Sequence, residues 1–438
     1  MKKLIAIVLL IATMILSGCS MLSLDSADIM CPPKATGNKA DIQKILDKRT
    51  SGEYTLKYPK NGLHRSSIVT YDIDADEEEE AIAFYSANNE NRIHVLFMEC
   101  KKDNYSVIDD IVFDASGIDR VDFTDIDSDG ICEVLVGYSS STSSVNILNV
   151  YTFSKEIKQI GASYTYSSLA TGDFNNDKNN DILLLSLFSG DITAQAKLVV
   201  YNYNGGLSEV GSTELDSDIK QFANILYGQL SSGYYGAVID GISSTGDYTT
   251  QIIVFDTSQG LLTNPLFSYS GYSSTRRSTA IISTDFDNDE LIDIPVCSLM
   301  PYNQTEDTET VLRRIDWSNY APATHTFNTV LSTIICPSDG YTLKIPQEWN
   351  NAITARYNKE TRETAVYTIK YNKNELVLTD ELLTIKTFTL DEYNSQTSGY
   401  MELMSTGSAT YAYSIGSSEN YLSITGDEIK NLFSLVNQ

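Results

Sequence analysis

Histidine is almost missing from this 438-residue chain: His64, His94 and His325 are the only three, and they stand far apart in sequence. No HExxH, GxSxG or GxxxxGK segment occurs, so the common zinc-protease, serine-hydrolase and phosphate-loop signatures are absent. Positive charge is scarce too, with 31 Lys and Arg against 58 Asp and Glu and a net charge of −27. Such a surface repels nucleic acid and anionic lipid and invites cations. Six cysteines are irregularly spaced and form no CxxC pair, which argues against a disulfide framework or a zinc site. Beyond the first sixteen residues, no apolar run is long enough to span a bilayer.

What is present begins at the N-terminus. Lys2 and Lys3 precede an almost wholly apolar stretch from Leu4 to Leu16, too short for a spanning helix and built like an export signal. It ends Leu16-Ser17-Gly18-Cys19, which resembles the bacterial lipobox, in which the cysteine thiol is diacylated. The resemblance implies removal of residues 1–18, lipidation of Cys19 and a stable two-chain membrane anchor. Without Lys2 and Lys3 the net charge would move from −27 to −29. The expected location is the extracellular face of a bacterial membrane. Cys31, Cys100, Cys132, Cys297 and Cys336 are then an odd five and are read as structural.

Tyr (28) outnumbers Phe and Trp together (16), a mixture suited to half-exposed β surface. Residues 19–50 read as a tether followed by a short helix, capped by Asn38, striped with Ile42, Ile45 and Leu46, and ended by Gly52. Repeats follow. Four nine-residue segments align without gaps: Asp72 to Glu80, Asp125 to Glu133, Asp173 to Asp181 and Asp285 to Asp293. Positions 1, 3, 5 and 9 always carry Asp, Asn or Glu: Asp72, Asp74, Asp76, Glu80; Asp125, Asp127, Asp129, Glu133; Asp173, Asn175, Asp177, Asp181; Asp285, Asp287, Asp289, Asp293. Position 2 is always apolar, and β-rich stretches flank each segment. A fifth segment at Gln229 keeps the apolar second position but has lost every carboxylate. The five starts lie 53, 48, 56 and 56 residues apart, a period that fits a four-stranded propeller blade.

These segments resemble FG-GAP/VCBS repeats, the calcium-loop blades of the integrin alpha N-terminal propeller, over roughly residues 55–330. The resemblance implies a mainly β fold, a calcium-loop β-propeller at 51–335 with five recognisable repeats and the blade count open. It also implies that the sixteen residues above bind calcium in a structural role. Their chemistry agrees: calcium takes six to eight oxygen ligands in a forgiving geometry, and oxygen-only ligation disfavours zinc and copper. An EF-hand would need Glu at position 12, where Ala83, Val136, Leu184 and Val296 stand. The Asp125 loop is the best formed, with Gly130 at position 6, and neutral Asn175 makes the Asp173 loop the weaker binder.

Residues 336–438 leave the repeat and read as a small α+β domain. Its opening, Tyr341 to Trp349 through Ile345-Pro346, resembles the PsbP-like fold; two degenerate blades are the other reading. A closing helix is predicted from a Thr425–Glu428 capping box, with Ile429, Leu432, Phe433 and Val436 on one face. No catalytic motif stands out, so the expected function is a non-enzymatic, calcium-stabilised surface module that binds protein or carbohydrate. A calcium-dependent polysaccharide lyase or hydrolase and a purely architectural envelope lipoprotein are the alternatives.

Overall fold

The computed structural model describes residues 38–436, apart from 89, 141–144, 203–205, 269–271, 303–307, 396–398 and 418–419. Residues 1–37, with the export signal, the tether, Cys19 and Cys31, lie outside the described residues. The predicted first helix is α1 (Asn38–Thr50), and its i, i+4 pair Ile42 and Leu46 is fully buried. Ser51 and Gly52 then turn left-handed at φ 56° and 79°, which stops the helix.

Antiparallel sheets of consecutive strands follow. The first holds β1 (Tyr54–Leu56), β2 (Ile68–Tyr71), β3 (Glu80–Ala87), β4 (Ile93–Lys101) and β5 (Asn104–Phe113), with β1 and β2 both paired to β3. The second runs β6 (Ala115–Thr124), β7 (Glu133–Ser140), β8 (Asn146–Thr152), β9 (Lys158–Tyr166). The third runs β10 (Ser168–Gly172), β11 (Asp181–Ser186), β12 (Gln195–Asn202), β13 (Gly206–Glu214). The fourth runs β14 (Ile219–Ser231), β15 (Tyr234–Ser243), β16 (Tyr248–Asp256), β17 (Leu261–Thr263), and the short helix α2 (Pro265–Ser268) follows it. Middle strands such as β11 are buried throughout, whereas outer strands such as β5 and β9 are mostly exposed. A middle strand has a sheet against each face, so its sequence is a continuous apolar run and not an alternation.

Adjacent sheets share apolar cores: first with second through Phe84 and Val121, second with third through Leu135 and Leu184, third with fourth through Leu185 and Ile239. The fourth meets the fifth through Val238 and Ile294. This is the expected mainly β, propeller-like stack of blades. The far face of the first sheet is covered by α1, where Ile42 and Leu46 pack on Ala83, Tyr85, Leu96 and Met98. Among the described residues, none of these apolar cores joins the fifth or sixth sheet back to the first.

The expected border at 335/336 is crossed in both directions. The fifth sheet runs β18 (Ile294–Leu299), β20 (Arg313–Ala321), β21 (Thr326–Cys336), β22 (Tyr341–Lys344) and finally β28 (Phe433–Leu435), so it borrows two strands from beyond the border. The sixth sheet starts with β19 (Glu309–Val311), from before it, and continues β23 (Ile353–Asn358), β24 (Glu363–Asn372), β25 (Glu375–Phe388), β27 (Thr410–Ile415), β26 (Met401–Ser405). One core, including Met300, Ile334, Trp349, Leu383 and Ile429, fills the space between the two sheets. Between β25 and β26 lies α3 (Leu390–Ser395), and α4 (Gly426–Leu432) follows β27. The capping box on α4 forms as predicted, with Thr425 and Glu428 bonded reciprocally. The helix is shorter than expected, because Phe433 turns extended and pairs with Leu343. Edge pairing there outweighs one more helical turn.

Candidate metal loops

Three of the four acidic segments join consecutive strands of one sheet. Asp125–Glu133 runs from the end of β6 to the start of β7, and the Asp72 and Asp173 loops occupy the same place in their sheets. Before the Asp285 loop the expected strand is reduced to isolated bridges, such as Thr284 with Asp293. Position 2 anchors every loop: Ile73, Ile126 and Phe174 are buried between neighbouring sheets, and Phe286 stacks on Trp317 at 4.1 Å.

The four loops share one internal pattern. The position-1 carboxylate accepts from main-chain N–H groups ahead of it: Asp72 from Asp76 and Glu77, Asp173 from Asp177 and Lys178, Asp285 from Asp289 and Glu290, and Asp125 from Gly130. The position-9 carboxylate accepts from the position-2 N–H, at 3.0 Å in each case from Ile73, Ile126, Phe174 and Phe286. Positions 4 and 6 are left-handed throughout: Ala75, Ser128, Asn176 and Asn288, then Glu77, Gly130, Lys178 and Glu290. Only one of those eight residues is glycine, so the loops hold backbone strain that concentrates oxygen atoms at one point.

Carboxylate oxygens of Asp72, Asp74 and Glu80, of Asp125, Asp127 and Glu133, and of Asp285, Asp287 and Asp289 gather within 4.8 Å of one another in each loop. Such groups can hold a metal ion, and burial raises their protonation. Glu133 and Asp181 are pushed up to about 7 and Asp293 to about 6, by burial first, against the N–H bond that lowers them and with neighbouring carboxylates adding to the rise. Glu80 shifts the same way for the same reasons. Asp74, Asp127 and Asp287 are raised by burial and by the charge of their position-5 neighbours.

The donor sets fit a hard cation to different degrees. In the Asp125 loop, Oδ1 of Asp125 is buried and has no hydrogen-bond partner among the described residues. A buried carboxylate oxygen left bare is costly unless a cation meets it. In the Asp173 loop the Asn175 amide donates to Asp177 at 2.9 Å and to Asp181 at 3.5 Å, so its N–H groups stand between the carboxylates. In the last loop Asp293 is taken up by Phe286 and by Asn319 at 2.9 Å and stays outside the cluster. The Gln229 segment is a tight β14–β15 hairpin through Ser232 and Gly233, with Leu230 fully buried at position 2. Burial first, then the nearby charge of Asp127, raises the Tyr201 phenol on the next blade; no spacing in the sequence links the two.

The histidines do not converge. His64 packs edge-on against Tyr71 and Phe123, and His325 pairs with Tyr320. His94 lies between Asp110 and Glu90, in a knot with Tyr85 and with Arg49 of α1. Cys100, Cys132, Cys297 and Cys336 are free thiols.

Residues 125–184 match the FG-GAP-like repeat. That stretch is an FG-GAP-like repeat. It spans the second blade from its loop onward and the whole Asp173 loop. No curated protein matches the chain. Among solved structures, a protein from Lactobacillus plantarum is similar at 10% identity and TM-score 0.31, over 73% of this chain and 85% of that one. The exotype rhamnogalacturonan lyase YesX is similar at 12% and 0.30, over 72% of this chain and 63% of its own length. Hsv2 of Kluyvelomyces marxianus is similar at 8% and 0.28, over 72% and 86%.

Proposed function

We propose that the chain is a lipid-anchored, extracellular binding or assembly module whose blades are held by calcium. The bare, buried Asp125 Oδ1 beside Asp127 and Glu133 carries the calcium part. When bound, the cation supplies the double positive charge that lets these carboxylates share one centre. Asp125, Asp127, Asp129 and Glu133 would hold it, with the equivalent residues in the Asp72 and Asp173 loops and with Asp285, Asp287 and Asp289 in the last. The Asp72, Asp125 and Asp173 loops then each tie together the two strands that flank them. Calorimetric titration of chelated protein is expected to give heat with calcium and little with magnesium, with a rise in melting temperature; no heat and no thermal shift would reduce the loops to acidic turns.

A wide groove of about 860 Å³ supports the binding part. It is lined by Leu299, Tyr302, Tyr371, Asn374 and Glu375, and the two tyrosines are 58% and 64% exposed. Exposed aromatic faces beside an amide and a carboxylate suit a carbohydrate or a peptide. Binding on a glycan and peptide array, lost in Tyr371→Ala, is the expected result. The anchor rests on Cys19, and Cys19→Ala should move the protein from the detergent-phase fraction to the soluble one. No helix of the described residues is long and apolar enough to cross a membrane.

A further inference from the structure

We propose that the loops starting at Asp72, Asp125 and Asp173 load cations as one coupled block, while the Asp285 loop loads alone. This rests on the calcium reading above. Glu80 accepts from the Ile73 N–H at 3.0 Å, and the Ile73 carbonyl accepts from the Cys132 N–H of the next loop at 2.8 Å. Cys132 directly precedes Glu133, so the closing carboxylates of two loops are joined through two hydrogen bonds and two residues, Ile73 and Cys132. The Asp125 and Asp173 loops are joined twice. Asn180, which precedes Asp181, donates its side-chain amide to the Asp125 carbonyl at 3.2 Å, and Ser128 Oγ donates to the Lys178 carbonyl at 3.2 Å. Fixing positions 1 and 9 of one loop therefore fixes groups that hold the next.

The chain of contacts continues to the last loop but meets no second cation there. Ile292 N–H donates to the Gln229 carbonyl at 2.8 Å, in the hairpin that has no carboxylate. That hairpin is already ordered by strand pairing, so loading the Asp285 loop has nothing further to arrange. Repulsion between neighbouring cations does not oppose the coupling. Residues 72–80 carry a formal charge of −7, residues 125–133 of −4 and residues 173–181 of −2, so a dication leaves none of them positive.

The test is calorimetric titration of calcium into the full chain, purified in detergent and freed of metal by chelation. Asp127→Ala is expected to remove its own site and weaken the remaining block by about fivefold or more, the lower end of ordinary site-to-site coupling. Asp287→Ala should remove one site and leave the other constants unchanged. Asn180→Ala removes no carboxylate and breaks one of the two bonds between the second and third loops; it should keep all sites and weaken the coupling between them. Equal, independent sites in the wild type, or Asp127→Ala and Asp287→Ala each deleting one site with no other change, would overturn the coupling alone. An unchanged isotherm for Asn180→Ala would do the same. No heat at all in the wild type would overturn the calcium reading and the coupling with it.

Discussion

Arg277 and Asp240 form an ion pair at 2.8 Å, with neither side chain exposed to solvent. Asp240 also accepts from the Ser283 N–H, the Ser283 hydroxyl and the Thr250 hydroxyl, while Arg277 donates to the Ile281 carbonyl. The pair ties β15 to the irregular segment that replaces a first strand ahead of the Asp285 loop. Asp240→Ala should cost about 3–5 kcal/mol, because it leaves a buried guanidinium uncompensated. Arg277→Met combined with Asp240→Leu should recover only part of that loss, since the Ser283 N–H stays unpaired. Urea unfolding of the three proteins measures both.

Position 6 of the loops gives a second prediction. Glu77 and Lys178 sit at φ 72° and 76°, whereas Gly130 takes φ 90° with open space where a methyl group would point. Glu77→Gly and Lys178→Gly should each stabilise the metal-free protein by about 1 kcal/mol, and Gly130→Ala should cost about as much. The sign is set by backbone conformation alone at Gly130, so thermal melts in chelator should separate the variants cleanly.

Protonation of the loops sets a pH dependence. Glu133 and Asp181 rise to about 7 in the metal-free fold, from ordinary values near 4.5 and 3.8. Between those limits the folded state binds more protons than the unfolded one, so metal-free stability is fullest below the unfolded values and falls as pH rises towards 7. Calcium needs the same groups deprotonated, so its affinity runs the other way. The melting-temperature gap between calcium-loaded and chelated protein should be widest above pH 7 and close as pH approaches 4.5. A gap that does not vary with pH would contradict the burial of these carboxylates beside the metal.

How much of this was legible in the sequence depends on the length of the signal. The loops were legible because five of nine positions repeat in register, and the blades because each loop is followed by an apolar run such as Ile182 to Leu185. The strand exchange at the C-terminal end was not. β19, β22 and β28 have three, four and three residues, too short to show a period, and β19 pairs with β23 across more than forty residues. The Arg277–Asp240 pair was also silent, since two charges 37 residues apart leave no pattern. Because of the exchange, a chain ending near Ile335 should not fold cleanly. It would lose β22 and β28 and bare Met300, Leu312 and Ile334. Dye binding and a broad melt are the expected signs.

The last prediction concerns α1. Ile42 and Leu46 close the outer face of the first sheet over Ile68, Ala81, Ala83, Tyr85, Leu96 and Met98, and Arg49 pins the helix to Asp110 at 2.9 Å. In a stack of repeats each sheet needs a neighbour on both faces, and a terminal sheet needs a cap. Since no described apolar core brings the fifth or sixth sheet to this face, the helix is that cap. Leu46→Ala should cost about 2–5 kcal/mol, the usual range for emptying a fully buried leucine site. Arg49→Ala should cost well under 1 kcal/mol, because the arginine is partly exposed and its ion pair is screened. If the helix were merely the end of a tether, both variants would melt like the wild type. If it is the cap, Leu46→Asp should go further than Leu46→Ala: the bared sheet face should pair with a second molecule, and dimers should appear in sedimentation at concentrations where the wild type has none.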